Sequence, residues 1–319
     1  MNTGQPPLNR RGLLGVAAAL LLPARLRAAD PAQPTDPADP IRLGTSTPGG
    51  GFAQYGEQLA LRVNARAGRT VLQALPTRGT AENLALLRSG QLDAGLVQGT
   101  VASEVLAQGP ASGLRILWAM YPSPGMLAVP AASPHRRLED LRGRKVVFGV
   151  RSSGLVTLGR QVFDGIGLDI DRDLQAVYVE QAADSPRRVL AGEAEALWGA
   201  GEGWPGFLQL AQAPGGARFL GPQPEQIGGI LRRHPLLRAM DVPAGTYAGI
   251  DAPLATVGSV NLVLVRADLE PARVRAVLPL LEAASAELAA TLPQAAFGTR
   301  ANTLASAPSA DLLHPGLRP

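Results

Sequence analysis

Cysteine is absent from all 319 residues. That removes disulfides, thiolate nucleophiles and cysteine metal sites, and it leaves no attachment point for a lipid anchor beside an export signal. Histidine is scarce. His135, His234 and His314 each sit beside a proline, and none has metal-ligand spacing to another. Neither a Gly-x-Ser-x-Gly elbow nor a Gly-Lys-Ser/Thr phosphate loop occurs, so the usual serine-hydrolase and Walker signatures are missing. Acidic residues are lacking from the first 29 positions, which carry Arg10, Arg11, Arg25 and Arg27. Without those four arginines Lys+Arg falls from 30 to 26, equal to the 26 Asp+Glu. The formal charge of +4 therefore belongs to the leader, and the remainder has no basic footprint for nucleic acid.

The leader has basic residues at Arg10 and Arg11, an apolar run over 12–22 and small residues at Ala28 and Ala29. This reads as a cleavable export signal over 1–29, too short for a membrane span. The order NRRGLL at 9–14 fits a twin-arginine or a general secretory signal, and both routes stay open. A Pro/Asp/Ala linker follows at 30–40, and the expected product is a soluble periplasmic protein, monomeric by default.

From Ile41 the chain repeats strand, loop and helix. Strands are expected near 41–45, 70–75, 93–98, 146–150, 176–180, 196–198, 218–220 and 260–266, with helices near 52–67, 81–89, 101–107, 155–166 and 270–290. Two strand-like runs at 114–120 and 125–129, split by the Tyr-Pro-Ser-Pro at 121–124, mark a crossing between lobes. The expected fold is α/β with two lobes, each a mostly parallel sheet flanked by helices: 41–126 as lobe 1, 127–258 as lobe 2 and 259–319 returning to lobe 1. A ligand then belongs in the interlobe cleft, where strand C-termini and helix N-termini meet.

Four loops carry the candidate residues. GTSTPGGGF at 44–52 offers the hydroxyls of Thr45, Ser46 and Thr47, close backbone approach at Gly49 and Gly50, and Phe52 at a helix start that favours an anion. Thr77, Arg78, Gly79 and Thr80 form the second loop, with Thr80 a plausible N-cap and Arg78 a carboxylate partner. Gln98 ends the third strand, where a ligand or a neighbouring loop could satisfy its amide. Arg151, Ser152 and Ser153 mirror the first loop from the second lobe, and Trp204 would form an apolar wall or simply pack in its glycine-rich turn. No catalytic constellation, metal cluster or cofactor motif accompanies these loops, so binding of a small molecule fits better than chemistry.

GTSTPGGGF at 44–52, PTRGTAENL at 76–84, SGQLDAGLVQ at 89–98 and DLRGRKVVFG at 140–149 together resemble the TAXI solute-binding proteins of tripartite TRAP transporters, an NMT1-like group. The likeness continues through VPAGTY at 242–247, VLVRAD at 263–268 and HPG at 314–316. The resemblance implies a periplasmic-binding-protein type II fold, a small carboxylate or amino acid such as glutamate as ligand, and delivery to TRAP membrane subunits. By position it carries binding roles onto Thr45, Thr47, Gly49, Gly50, Thr77, Gly79, Thr80, Gln98, Ser152 and Ser153. Three departures stand out. Phe52-Ala53 replaces a family Tyr-Tyr pair, Arg78 and Arg151 replace small residues, and Thr100 replaces an aspartate. Two added guanidinium groups suggest a different mono- or dicarboxylate. A periplasmic sensor partnering a kinase is an alternative output, and an exported hydrolase using Ser152 or Ser153 is the rival from another class.

Overall fold

In a computed structural model, residues 1–4 and 39–317 are described. All but residues 1–4 of the expected export signal, and most of the linker, lie outside them. The chain from Ile41 alternates strands and helices: β1 (Ile41–Gly44), α1 (Gly51–Ala67), β2 (Leu72–Leu75), α2 (Thr80–Arg88), β3 (Ala94–Val97) and α3 (Gly99–Leu106). After the long β4 (Leu114–Pro130) the rhythm restarts with β5 (Lys145–Gly149), α4 (Gly154–Gly165), β6 (Gln175–Tyr178), α5 (Asp184–Leu190) and β7 (Ala196–Ala200). Then come α6 (Pro205–Gln212), β8 (Ala217–Leu220), α7 (Pro224–Arg233), β9 (Arg238–Val242), the long β10 (Leu254–Arg266), α8 (Pro271–Leu288) and α9 (Arg300–Ser306). The expected strands and helices reappear within a few residues of their places, except that β10 begins six residues before the expected Val260 and β4 is continuous. Helices α5, α6, α7 and α9 and strand β9 were not expected.

The sheet is mixed rather than mostly parallel. β1 pairs in parallel with β2 and β3, and β5 with β6 and β7, as strand-helix-strand units require. The two long strands run against them: β10 is antiparallel to β3, β4 and β9, and β4 is antiparallel to β7 and β8. β4 pairs with β10 through Pro124 and with β7 from Gly125, so one strand serves both lobes. Of the prolines that suggested a break, Pro122 borders the register shift between the Val260–Pro122 and Leu262–Ala119 pairs, and Pro124 pairs with Gly258 just before β4 changes partner at Gly125. A residue without an N–H is tolerated where the ladder is irregular.

Near-continuous apolar strands reflect burial on both faces. Val263 and Val265 join one core with Tyr55, Leu59 and Leu281, whereas Leu262 and Leu264 join another with Leu87, Leu106 and Leu312. This is the period-two alternation of a strand. The second lobe repeats it, with Phe148 and Trp198 on one side and Val147 and Leu197 on the other. Helix α1 buries Tyr55, Leu59 and Val63, spaced for one helical face. Among the described residues no helix is long and apolar enough to cross a membrane.

Candidate functional site

A pocket enclosing about 700 Å³, its mouth included, lies between the lobes. Nearly every parallel strand delivers its C-terminal loop there: Ser46 to Phe52 after β1, Arg78 to Thr80 after β2, Gln98 after β3, residues 149–155 after β5 and Trp204 after β7. The shared strands add the floor, with Tyr121 and Ser123 from β4 and Asn261 from β10. Phe52, Val150, Leu155, Leu158 and Ala200 supply apolar surface.

The lobes touch along one rim of this pocket. Thr47 Oγ1 accepts from the Ala182 amide at 3.1 Å, and the Pro48 carbonyl accepts from Ala183 at 3.1 Å. Ser152 Oγ donates to the Arg78 carbonyl at 2.9 Å, and the Ala81 amide donates to the Ser152 carbonyl at 3.3 Å. Arg78 also pairs with Glu180 at 3.0 Å, both side chains largely exposed. Glycine permits the closest approaches. A Cβ on Gly49, whose φ is +80°, would lie 2.7 Å from Ala183 backbone atoms, and one on Gly154 would lie 2.2 Å from Gln98 Cβ. Deeper in the seam, Thr100 Oγ1 lies 3.0 Å from Gln161 Oε1.

Most of the predicted hydroxyls are committed within the protein. Thr45 Oγ1 donates to the Leu75 carbonyl, and Thr77 Oγ1 to Asn83 Oδ1 at 2.7 Å. Buried Asn83 in turn donates to the carbonyls of Gly44, Thr45 and Leu96, binding β1 to β3. Ser46 Oγ accepts from the Ala53 amide and Ser153 Oγ from the Leu155 amide, so these serines satisfy the first turns of α1 and α4. Thr80 is not the cap of α2. Gly79 holds that place, and Thr80 Oγ1 accepts from the Gln98 amide.

The Gln98 amide is also spent. Its Nε2 donates to Ser259 Oγ at 2.8 Å, and its Oε1 accepts from the Thr100 and Val101 amides as the cap of α3. Arg151 lies outside the lining, with its guanidinium 3.8 Å from the centre of the Tyr178 ring. Of the predicted residues, Ser46, Thr47, Gly50, Phe52, Arg78, Gly79, Thr80, Gln98, Ser153 and Trp204 line the pocket, and Thr45, Gly49, Thr77, Arg151 and Ser152 do not.

What remains unspent lies deeper. Ser185 Oγ and Trp204 Nε1 are buried, line the pocket and have no partner among the described residues. The Tyr121 hydroxyl has none among the described residues, and burial pushes that phenol far above its ordinary value, with Tyr55 and Tyr247 adding to the effect. Asn261 Nδ2 donates to Ser123 Oγ, leaving the Ser123 proton free to point elsewhere. The first-turn amides of Gly51 and Phe52 and that of Gly154 are likewise unpartnered among the described residues. Helix N-termini of this kind favour an anion.

The sequence matches the family described as NMT1-like over residues 43–317. The chain belongs to the NMT1-like family. The NMT1-like fold is similar to that of the alkanesulfonate-binding protein SsuA from Xanthomonas axonopodis pv. citri bound to MOPS, at 19% identity, 91% of this chain and 84% of that one, with a TM-score of 0.50. It is similar to a structure described as a periplasmic transporter at 12% identity, 79% and 84% coverage and a TM-score of 0.53. It also resembles the effector-binding domain of a BenM variant at 14% identity, 78% and 95% coverage and a TM-score of 0.50. These likenesses carry the two-lobed fold.

Sequence reasoning missed Tyr121, Ser123, Ser185 and Asn261 in the lining of this NMT1-like chain. The first two fell in the segment read as a break between strands, and Ser185 in a helix that was not expected. A Tyr-x-Ser pair has side chains on one face of a strand, so a reading of 114–130 as one strand would have found both.

Proposed function

We propose that this protein is an exported solute-binding protein that closes its two lobes on a small organic acid and presents it to TRAP-type membrane subunits. The observation that carries the reading is the interlobe pocket, whose rim is hydrogen-bonded shut while its floor keeps unpartnered polar groups. Buried polar atoms are ordinarily satisfied, so an orphaned set facing one cavity suits a ligand that completes it. Contacts to both lobes would then favour closure, because the ligand interacts differently with open and closed states. The motif likeness over most of the chain supports the TRAP assignment, and membership of the NMT1-like family supports solute capture.

The hydrolase reading lacks a base at the site. His135 pairs with Glu195, His234 with Asp164, and His314 with the Leu269 carbonyl, whereas none lines the pocket. Native mass spectrometry of the purified protein followed by a thermal-shift panel of carboxylates tests the proposal. A ligand at 100 times its Kd should add about 2.7 kcal/mol of stability and raise Tm accordingly. Absence of any co-purified acid, together with no shift from any carboxylate, would overturn it.

A further inference from the structure

The pocket has a one-sided polar character. Its lining contains no aspartate, glutamate or histidine. The one charged side chain is Arg78, and its guanidinium is held outward by Glu180. The obvious acceptors are occupied: Gln98 Oε1 by the start of α3, Asn261 Oδ1 by the Gly99 amide at 3.3 Å, Ser46 Oγ by Ala53 and Thr47 Oγ1 by Ala182. Among the described residues, unspent donors include the amides of Gly51, Phe52 and Gly154, the Trp204 indole N–H and the hydroxyls of Tyr121 and Ser123, and the Ser185 hydroxyl in the same lining is orphaned.

Three of these converge. A Cβ placed on Gly51 would lie 3.4 Å from Trp204 Cδ1 and 3.5 Å from the Tyr121 oxygen. The pyrrole edge of the indole, the phenol and the start of α1 therefore surround one small volume. Its bulkier ring edge is packed away, 4.8 Å from Phe207 between ring centres.

We propose that this pocket selects organic anions without an ammonium group, taking an acceptor head at Gly51, Tyr121 and Trp204 and an apolar body against Leu155 and Leu158. The proposal rests on the solute-binding reading and narrows its ligand class from organic acids in general to keto, hydroxy or simple carboxylic acids. A buried ammonium needs an anionic partner, and here it would meet helix N-termini and hydrogen-bond donors. The same surroundings stabilise a carboxylate. Trp204 thereby acts as a donor, beyond the apolar wall expected from the sequence.

Matched pairs test this by isothermal titration: 4-methyl-2-oxopentanoate against leucine, and 2-oxoglutarate against glutamate. The expected result is that at least one keto acid binds, and binds at least about a hundredfold more tightly than its amino acid. Trp204→Phe should weaken that keto acid about tenfold, and Tyr121→Phe carries the same test should the first variant fail to fold. An amino acid binding as tightly as its keto acid overturns the selection and leaves the solute-binding reading standing. Binding of a neutral solute with none of the acids overturns both.

Discussion

The rim and the floor of the cleft are built from similar residue types and differ in what those residues have left to give. At the rim, Thr47 and Ser152 spend their hydroxyls across the seam, and Arg78 spends its charge on Glu180. At the floor, Ser185 Oγ and Trp204 Nε1 are buried without partners among the described residues. A serine on a glycine-rich loop and a serine in a short helix look alike in sequence, yet one spends its hydroxyl on the seam between the lobes and the other keeps it unspent among the described residues. The lesson is that hydroxyl-rich loops at a cleft edge report closure before they report recognition.

Gly154→Ala would break the rim most severely. The new Cβ would meet Gln98 Cβ at 2.2 Å and Thr80 Oγ1 at 2.8 Å, both from the opposite lobe. Gln98 cannot yield, because its side chain is pinned at both ends. The clash arises only when the lobes are together and alanine favours the first turn of α4 over glycine, so the Tm of the open, unliganded protein should not fall. Ligand affinity should drop about a hundredfold, ~2.7 kcal/mol, because closure is obstructed. Titration together with small-angle scattering checks this, and a variant that closes and binds normally would show that the seam does not govern recognition.

Asn261→Ala probes the floor. It strips a partner from the Gly99 amide and from Ser123 Oγ, both buried. Leaving buried polar groups unsatisfied costs about 1–3 kcal/mol, so Tm should fall by several degrees and affinity by about tenfold. Equal loss of stability with unchanged affinity would place Asn261 in the scaffold alone.

The βα rhythm and the two lobes were legible because strand-loop-helix units leave strong local signals: glycine loops, helix starts and apolar runs. Loops 44–52, 77–80 and 151–153 were legible for the same reason. The long antiparallel strands were not, since nothing local distinguishes a strand that changes partners at Gly125 from two shorter ones. The fate of each side chain was hidden too. Gln98 reads as a ligand contact until Ser259, 161 residues away, is seen to take its amide. Arg151 reads as a carboxylate clamp until Tyr178 lies under it.

The same contrast predicts how the molecule responds to pH. No lining group titrates near neutrality, so affinity for a strong acid should be flat from pH 5 to 8. Stability should not be. His314 is fully buried, with Nε2 facing the Leu269 carbonyl at 2.9 Å and Nδ1 accepting from the Gly316 amide at 3.1 Å. Burial lowers its pKa from the ordinary 6.5, and Arg115 lowers it further against the pull of that carbonyl. A histidine neutral in the fold and free to protonate when unfolded contributes stability that is full above pH 6.5 and declines as pH falls below it. Tm should therefore fall modestly between pH 6.5 and 5. His314→Asn should lower Tm at pH 7.5 and flatten that slope. A second decline belongs below pH 4, where Asp93 protonates: burial pushes its carboxyl up, but the hydrogen bonds from Arg42 outweigh this and hold it below 3.8.

The smallest effect belongs to the arginines that first suggested a carboxylate. The Arg78–Glu180 pair joins side chains that are 54% and 81% exposed, where an ion pair contributes about 0–1 kcal/mol and is screened by salt. Arg78→Ala should weaken binding by no more than about fivefold, and Glu180→Ala should match it, because each removes the same latch. Salt at about 0.5 M should erase the difference from wild type, and Arg151→Ala should leave affinity unchanged. A hundredfold loss in Arg78→Ala alone, with Glu180→Ala silent, would mean that the guanidinium turns inward onto the ligand's charge. The rim would then recognise as well as close, and the division of labour between rim and floor would fail at that residue.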